Sequence, residues 1–318
     1  MLQQTRVETV IPYYHRFLAR FPSVNALAEA RTDEVLKIWE NLGYYSRARH
    51  LHAAAKEIVA DWGSRLPHNR KEILGLPGIG EYTAAAILSI AFARPVAAID
   101  GNVSRVISRL FAFRKAVDSS ESRQHIRTLA DQLVSKKNPG HFNQALMDLG
   151  ATVCTPRTPS CLSCPLRGLC KAKKLGVEEQ LPVAKKRPVL SHKHMTAAIV
   201  FDRKKRVLMV QRPASGLLGG LWKFPGGERG TKETVKAALH RTVLEELGVS
   251  VRAEKALALI KHAYTHFRVT FHVSRCTIEH GRPQSLEGCP CRWIPAEELR
   301  RLALSKVERK ILDLLSHS

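Results

Sequence analysis

The 318 residues carry 51 Lys and Arg against 28 Asp and Glu, a net charge of +23, which favours a polyanionic partner over an acidic surface. Length leaves room for two ordinary domains, and no apolar run approaches the roughly 20 residues of a membrane-spanning helix. MLQQTRVETV has neither the basic nor the apolar region of a secretory signal, so the expected setting is a reducing cytoplasm with no membrane contact.

Residues 1–170 read as helices throughout. Thr32-Asp33-Glu34 resembles an N-cap with an acidic first turn leading into Val35, Leu36, Ile38, Trp39 and Leu42. Ser46 opens a second helix carrying Ala48, Leu51, Ala55, Ile58 and Val59, stopped near Gly63. Further helical patterns cover 81–93, 101–113, 121–135 and 141–150. Between two of them lies Leu76-Pro77-Gly78-Ile79-Gly80, a tight hairpin whose backbone N–H groups would meet a phosphate at a helix N-terminus. A plain inter-helix turn is the alternative. Twenty residues on, Asp100 of Ile99-Asp100-Gly101-Asn102 stands where a new helix begins, and an N-cap role accounts for it by itself.

Cys154, Cys161, Cys164 and Cys170 follow with spacing C-x6-C-x2-C-x5-C. Four thiolates in one loop can close around a single [4Fe–4S] cluster. Zinc also accepts four thiolates, although zinc ribbons draw on two C-x2-C knuckles and only one such pair is present. Residues 171–194, with KAKK and LPVAKKRP, read as a basic linker. From 195 onward the period changes. TAAIVF and RVLMVQR resemble the strands of a hairpin, 232–247 an amphipathic helix ending at Gly248, ALALI and HFRVTFHVS two strands, and 296–316 a last helix. Residues 1–191 hold 28 basic and 16 acidic side chains and 192–318 hold 23 and 12, so both halves suit one long polyanion.

The hairpin, the downstream aspartate and the four-cysteine loop together resemble the iron–sulfur helix-hairpin-helix DNA glycosylases. Within them, MLQQTRVETVIPYY, NLGYYSRARHLH, LPGIGEYTAAAI, IDGNVSRV and FNQALMDLGATVCTPRTPSC are similar to the MutY-type adenine DNA glycosylases. The related endonuclease III family uses a lysine after the hairpin to form a Schiff base. Tyr82 occupies that position here, which implies base hydrolysis without an efficient lyase step. The resemblance implies that adenine mispaired with 8-oxoguanine or guanine is flipped from double-stranded DNA and released through an oxocarbenium-like sugar cation. Asp100 would stabilise that cation, with Tyr82 and Asn102 positioning sugar and nucleophile. Gln3, Gln4 and Tyr44 match the residues that wedge into the duplex and contact the oxidised guanine, while core packing is the bland reading of Tyr44 and Tyr45. Leu76, Gly78 and Gly80 match the backbone-binding hairpin. The protein is expected to act as a monomer.

One departure stands at the start. The family places its general acid, a glutamate, two residues before the methionine of MLQQT, which is residue 1 here. The expectation is therefore a chain lacking the first helix and that acid, with core surface exposed beneath the missing helix.

The C-terminal part resembles the Nudix box, G-x5-E-x7-R-E-U-x-E-E-x-G-U, in Gly227, Glu233, Arg241, Glu245, Glu246 and Gly248, with Thr242 where the box has glutamate. Glu245 and Glu246 would then hold a divalent cation only weakly. MutY-type proteins use a domain of this fold to recognise 8-oxoguanine. Tyr264-Thr265-His266 is similar to their Phe-Ser-His loop, with Thr265 supplying the hydroxyl that reads the lesion. The expected architecture is an all-α helix-hairpin-helix domain with an iron–sulfur loop over 1–170, a linker over 171–194, and an α+β Nudix-like domain over 195–318. The alternatives are a non-catalytic lesion binder and a fused nucleotide pyrophosphohydrolase.

Overall fold

Helical periodicity in the first sixty residues resolves into α1 (Val7–Arg20), α2 (Val24–Glu29), α3 (Thr32–Ile38) and α4 (Ser46–Asp61). These are followed by α5 (Arg70–Gly75), α6 (Glu81–Phe92), α7 (Gly101–Leu110), α8 (Ser120–Leu133), α9 (Pro139–Asp148) and α10 (Lys171–Leu175). Beyond them come β1 (Ser191–Val200), β2 (Val207–Gln211), β3 (Trp222–Lys223), α11 (Val235–Leu247), β4 (Ser250–Ala263), β5 (Phe267–His280), β6 (Cys291–Ile294) and α12 (Lys306–Leu315). This computed structural model describes residues 1–183, 190–286 and 288–315. The middle of the expected linker, 184–189, lies outside the described residues, and its first part carries the short α10. By internal contacts the chain forms two units, Met1–Ala60 with Val189–Ser318, and Asp61–Pro188.

In the first unit, α3 starts at Thr32 with Asp33 and Glu34 in its first turn, where carboxylates meet the positive end of the helix dipole. The cap residue is Arg31, which contributes no side-chain bond. Trp39 is 1% exposed and packs edge-on against Phe17 in a core that also takes in Leu221 and Ala303. The opposite face of α1, Val7, Ile11, Tyr14 and Leu18, is 43–57% exposed at helical spacing.

The C-terminal part of this unit has two three-stranded sheets, β1-β5-β4 and β3-β2-β6. The expected β1–β2 hairpin does not form. The two strands meet only at a bridge between Phe201 and Val207, and β1 instead runs parallel to β5 from Ser191↔Phe267 to Val200↔Cys276. Residues 196–200 are all buried, the pattern of a strand covered on both faces, which local alternation cannot distinguish. Helix α11 begins at Val235, capped by Thr234 Oγ1 accepting the Ala237 N–H, and ends at Gly248 with φ +66°. The expected helix over 296–316 is broken. Leu299–Arg301 is one 3-10 turn, and α12 starts anew at Lys306, where Ser305 Oγ accepts the Val307 N–H at 3.2 Å.

In the second unit, α7 lies against α8, α9 and the π-helical turn Leu149–Val153. Val103, Val106 and Ile107 pack with Ile126, Ala130 and Leu146. A separate cluster of Ile73, Ala84 and Leu88 joins α5 to α6. This pairing sets the Leu76–Gly80 hairpin between two packed helices.

Candidate functional site

Asp100 caps α7. Its Oδ1 accepts the Val103 N–H at 2.7 Å and its Oδ2 the Asn102 side-chain amide at 3.2 Å. The cap fixes where the half-buried carboxylate points. The irregular segment leading to it is pinned by side chains of α8 and α9. Asn143, 1% exposed, accepts the Ala98 N–H at 3.1 Å and donates to Val96 O at 2.9 Å, while Asp131 accepts the Ala97 N–H. Tyr82 is held by a contact of its hydroxyl with Met147 Sδ at 3.5 Å. Burial, reinforced by the Asp100 charge, raises its pKa above the usual phenol value, so the hydroxyl stays protonated as a donor.

Two buried arginines that sequence reasoning passed over tie this helix to the cysteine loop. Arg105 donates to Asn102 Oδ1 at 2.8 Å, Gly150 O at 2.7 Å and Cys154 O at 2.8 Å. Arg109, 2% exposed, donates to Thr155 O at 2.7 Å, Pro156 O at 3.1 Å and Leu181 O at 2.8 Å, and reaches Cys154 Sγ at 3.3 Å. Gly150 makes the close approach possible, because a Cβ there would meet Asn102 Cβ at 2.8 Å. A signal was present in the sequence: arginines at 105 and 109 share one helix face one turn apart.

Cys154, Cys161, Cys164 and Cys170 are all free thiols of intermediate burial on that loop. Burial raises the Cys161 thiol, with the Glu178 charge acting the same way and Lys173 against it. The donor set and the guanidinium facing Cys154 fit a thiolate-bound cluster in chemistry. As placed, no three His, Cys, Asp or Glu side chains among the described residues form a group that could hold a metal ion.

The hairpin has the required backbone. Leu76 is 2% exposed and anchors the turn, and Gly78 takes φ +75°, which favours glycine. Gly80 caps α6 at φ −94°, and a Cβ there would meet nothing within 4 Å. Nothing inside the protein demands glycine at 80; a close external approach to the backbone would.

In the first unit, Tyr44 and Thr265 meet through their hydroxyls at 2.7 Å. Tyr44 is 39% exposed whereas Tyr45 is 6% exposed and belongs to the core, so the packing reading holds for Tyr45 alone. Gln3, Gln4, Thr265 and His266 are exposed. Tyr264 instead leans inward, tilted on Phe267 at 5.0 Å, and burial pushes its pKa up to about 12. Asn41, Gly43, Tyr44 and Gln4 all have positive φ, from 46° to 76°, which strains the three that are not glycine. Arg47, also missed from sequence, holds these turns together. Its guanidinium donates to the carbonyls of Met1 at 2.8 Å, Leu42 at 3.3 Å and Gly43 at 3.2 Å, and to that of Gln3, and stacks over Tyr44 at 5.5 Å.

In the Nudix-like box, Thr242 does not share an open face with Glu245 and Glu246. It is 7% exposed, its hydroxyl donates to Ala238 O at 2.7 Å, and its methyl faces Gly227. Arg241 grips Glu233 at 2.8 Å and Glu245 at 3.0 Å, and its hydrogen bonds hold the Glu233 carboxyl down to about 2.

A family model described as HhH-GPD superfamily base excision DNA repair protein matches residues 1–132, and one described as NUDIX domain matches residues 196–314. The chain is 35% identical to the adenine DNA glycosylase of Rattus norvegicus over 98% of its length and 69% of the rat protein. It is also 35% identical to that of Mus musculus, over 99% of its length and 70% of the mouse protein. Among solved structures, a thermostable thymine-DNA glycosylase matches with a TM-score of 0.50 at 32% identity, covering 55% of this chain and 80% of that one.

Proposed function

Because this chain belongs to the adenine DNA glycosylase family, we propose that it hydrolyses the N-glycosidic bond of adenine mispaired with 8-oxoguanine or guanine in double-stranded DNA. Membership makes it a base-excision DNA glycosylase with DNA as its partner; the mispair and the residue roles are the proposal. The observation that carries it is Asp100. Its carboxylate is oriented by two hydrogen bonds at the head of α7, with the protonated Tyr82 hydroxyl supplied nearby. A fixed anion of this kind stabilises positive charge developing on the sugar without reorganising during the reaction. Asn102, held between Asp100 and Arg105, positions the attacking water. Gly78 and Gly80 present backbone N–H groups to a phosphate, with Leu76, whose own N–H is bonded to Ile73 O at 3.2 Å, anchoring the turn. Gln3, Gln4, Tyr44, Thr265 and His266 meet the base opposite adenine, with Tyr264 packed behind them. In these terms residues 1–170 are the glycosylase domain, 171–194 its connector and 195–318 the lesion-reading domain.

Cys154, Cys161, Cys164 and Cys170 would hold a [4Fe–4S] cluster, which when bound cross-links the loop. The chain's own contribution is the Arg105 and Arg109 bonding that carries the loop's position to α7. Tyr82 has no amine, so no imine with the sugar forms.

Single-turnover excision from a duplex with adenine opposite 8-oxoguanine tests the reading. Asp100→Asn in the full natural chain should slow excision about 10²–10³-fold while duplex binding persists, and borohydride should trap no covalent complex. An unchanged rate in Asp100→Asn defeats the assignment.

A further inference from the structure

The Nudix resemblance implies a divalent cation held by box glutamates, and the residues present do not fit one. Lys223 Nζ lies 2.7 Å from Glu246 Oε1 and donates to the Gly226 carbonyl at 2.6 Å, while Glu246 Oε2 accepts the Gly226 N–H at 3.1 Å. A small triangle of ammonium, carboxylate and peptide is thereby closed. Magnesium or manganese would seek this same pair of hard oxygens, one anionic and one carbonyl. The lysine is not a passing surface group. Its side chain is 13% exposed, and it stands on β3, whose register on β2 is fixed by Val210↔Lys223. Burial lowers its pKa, and the Glu246 carboxylate at 2.7 Å opposes that shift and favours the ammonium. Gly226 has φ +134°, and a Cβ there would meet Thr196 O at 2.4 Å, so the peptide that receives the ammonium is locked against β1.

The rest of the box is spent in the same way. Glu245 and Glu233 are both bound to Arg241, and the Thr242 hydroxyl points back along its own helix. The Thr242 methyl would lie 3.0 Å from a Cβ on Gly227, so this position packs α11 against the 226–227 turn where a glutamate would project a charge.

We infer that Lys223 is a built-in monovalent cation that takes the place of the divalent ion of a Nudix centre, leaving this domain without a divalent-cation site at Glu246. A divalent ion entering would have to displace the ammonium or lie against it, with like-charge repulsion opposing its binding. The inference concerns residues 223–246 alone and stands whether or not the glycosylase reading does.

Titration of the purified full chain with Mn²⁺, reading the free ion by electron paramagnetic resonance, tests it. The natural chain should show no site that Glu246→Gln removes. Lys223→Ala should gain one site, at least about tenfold tighter than any Glu246-dependent binding in the natural chain, and the double variant should lose it. Thermal melting establishes that each variant folds. If Lys223→Ala does not fold, Lys223→Gln, which keeps a donor for the Gly226 carbonyl without the charge, replaces it. A Glu246-dependent Mn²⁺ site in the natural chain overturns the inference, and so does a folded uncharged variant that gains none.

Discussion

Neighbouring tyrosines have opposite surroundings, one exposed and one packed in the core. The Tyr45 hydroxyl accepts the Asn41 N–H at 3.1 Å inside the core, and desolvation raises its pKa well above the usual phenol value. Tyr44, one residue earlier at φ +46°, is turned outward to Thr265. The resemblance marked Tyr44 and Thr265 independently; that they bond each other across 221 positions was not legible, because no local pattern encodes it. Arg47 was invisible for a related reason. Its value lies in carbonyls that point inward only after Asn41, Gly43 and Gln4 adopt positive φ. If the Tyr44–Thr265 pair reads the lesion as a unit, Tyr44→Phe and Thr265→Val should each weaken preference for 8-oxoguanine over guanine, and the double variant should be little worse than either. A double-mutant cycle on duplex affinities should give a coupling of about 0.5–1.5 kcal/mol. Strict additivity would show that the two hydroxyls act separately, and unchanged discrimination in Thr265→Val would remove the loop from the site.

Between elements, the bonds that matter join pieces far apart in sequence. Glu40, 9% exposed, binds Lys37 at 2.8 Å and Arg309 through both oxygens. Lys37 and Arg309 each donate to the carbonyls of Arg300 and Leu302. The end of α3 and the flank of α12 thus clasp the 3-10 turn Leu299–Arg301 and the residue after it. Glu40→Ala leaves two cations facing each other. Lys37 is 34% exposed, so water offsets part of the cost, which should fall near the lower end of about 3–5 kcal/mol. In thermal unfolding that is a loss of roughly 6–12 °C for a unit of this size; a melting temperature unchanged within about 2 °C would show the clasp to be cosmetic. Helices with local stop and start chemistry were legible. Asp100, Ser119 and Gly248 mark their ends within a few residues of expectation. Strand partners were not, since β1 chooses β5 over its neighbour β2 by burial on both faces.

At the scale of the molecule the +23 charge is spread over both halves, and the partner is DNA. Binding to undamaged duplex should therefore fall steeply with salt. Six to ten neutralised phosphates would cost about 10³–10⁵ in affinity between roughly 50 and 200 mM. A nearly flat salt response would mean that the basic excess only solvates the surface. The charge predicted the class of partner without its chemistry, which we assign to a handful of residues such as Asp100.

Residues 1–60 find their core partners, Leu221 and Ala303, and their ionic partner, Arg309, near the far end of the chain. During synthesis at about 5–20 residues per second, some 12–50 s pass between the emergence of these helices from the ribosome and that of Arg309. The continuous segment Asp61–Pro188 meets no such delay. Helices α1 to α4 are thus among the last to be seated, with apolar faces waiting in the cell meanwhile. A nascent chain halted before residue 221 should be cut by protease within residues 1–60 while the segment behind it resists.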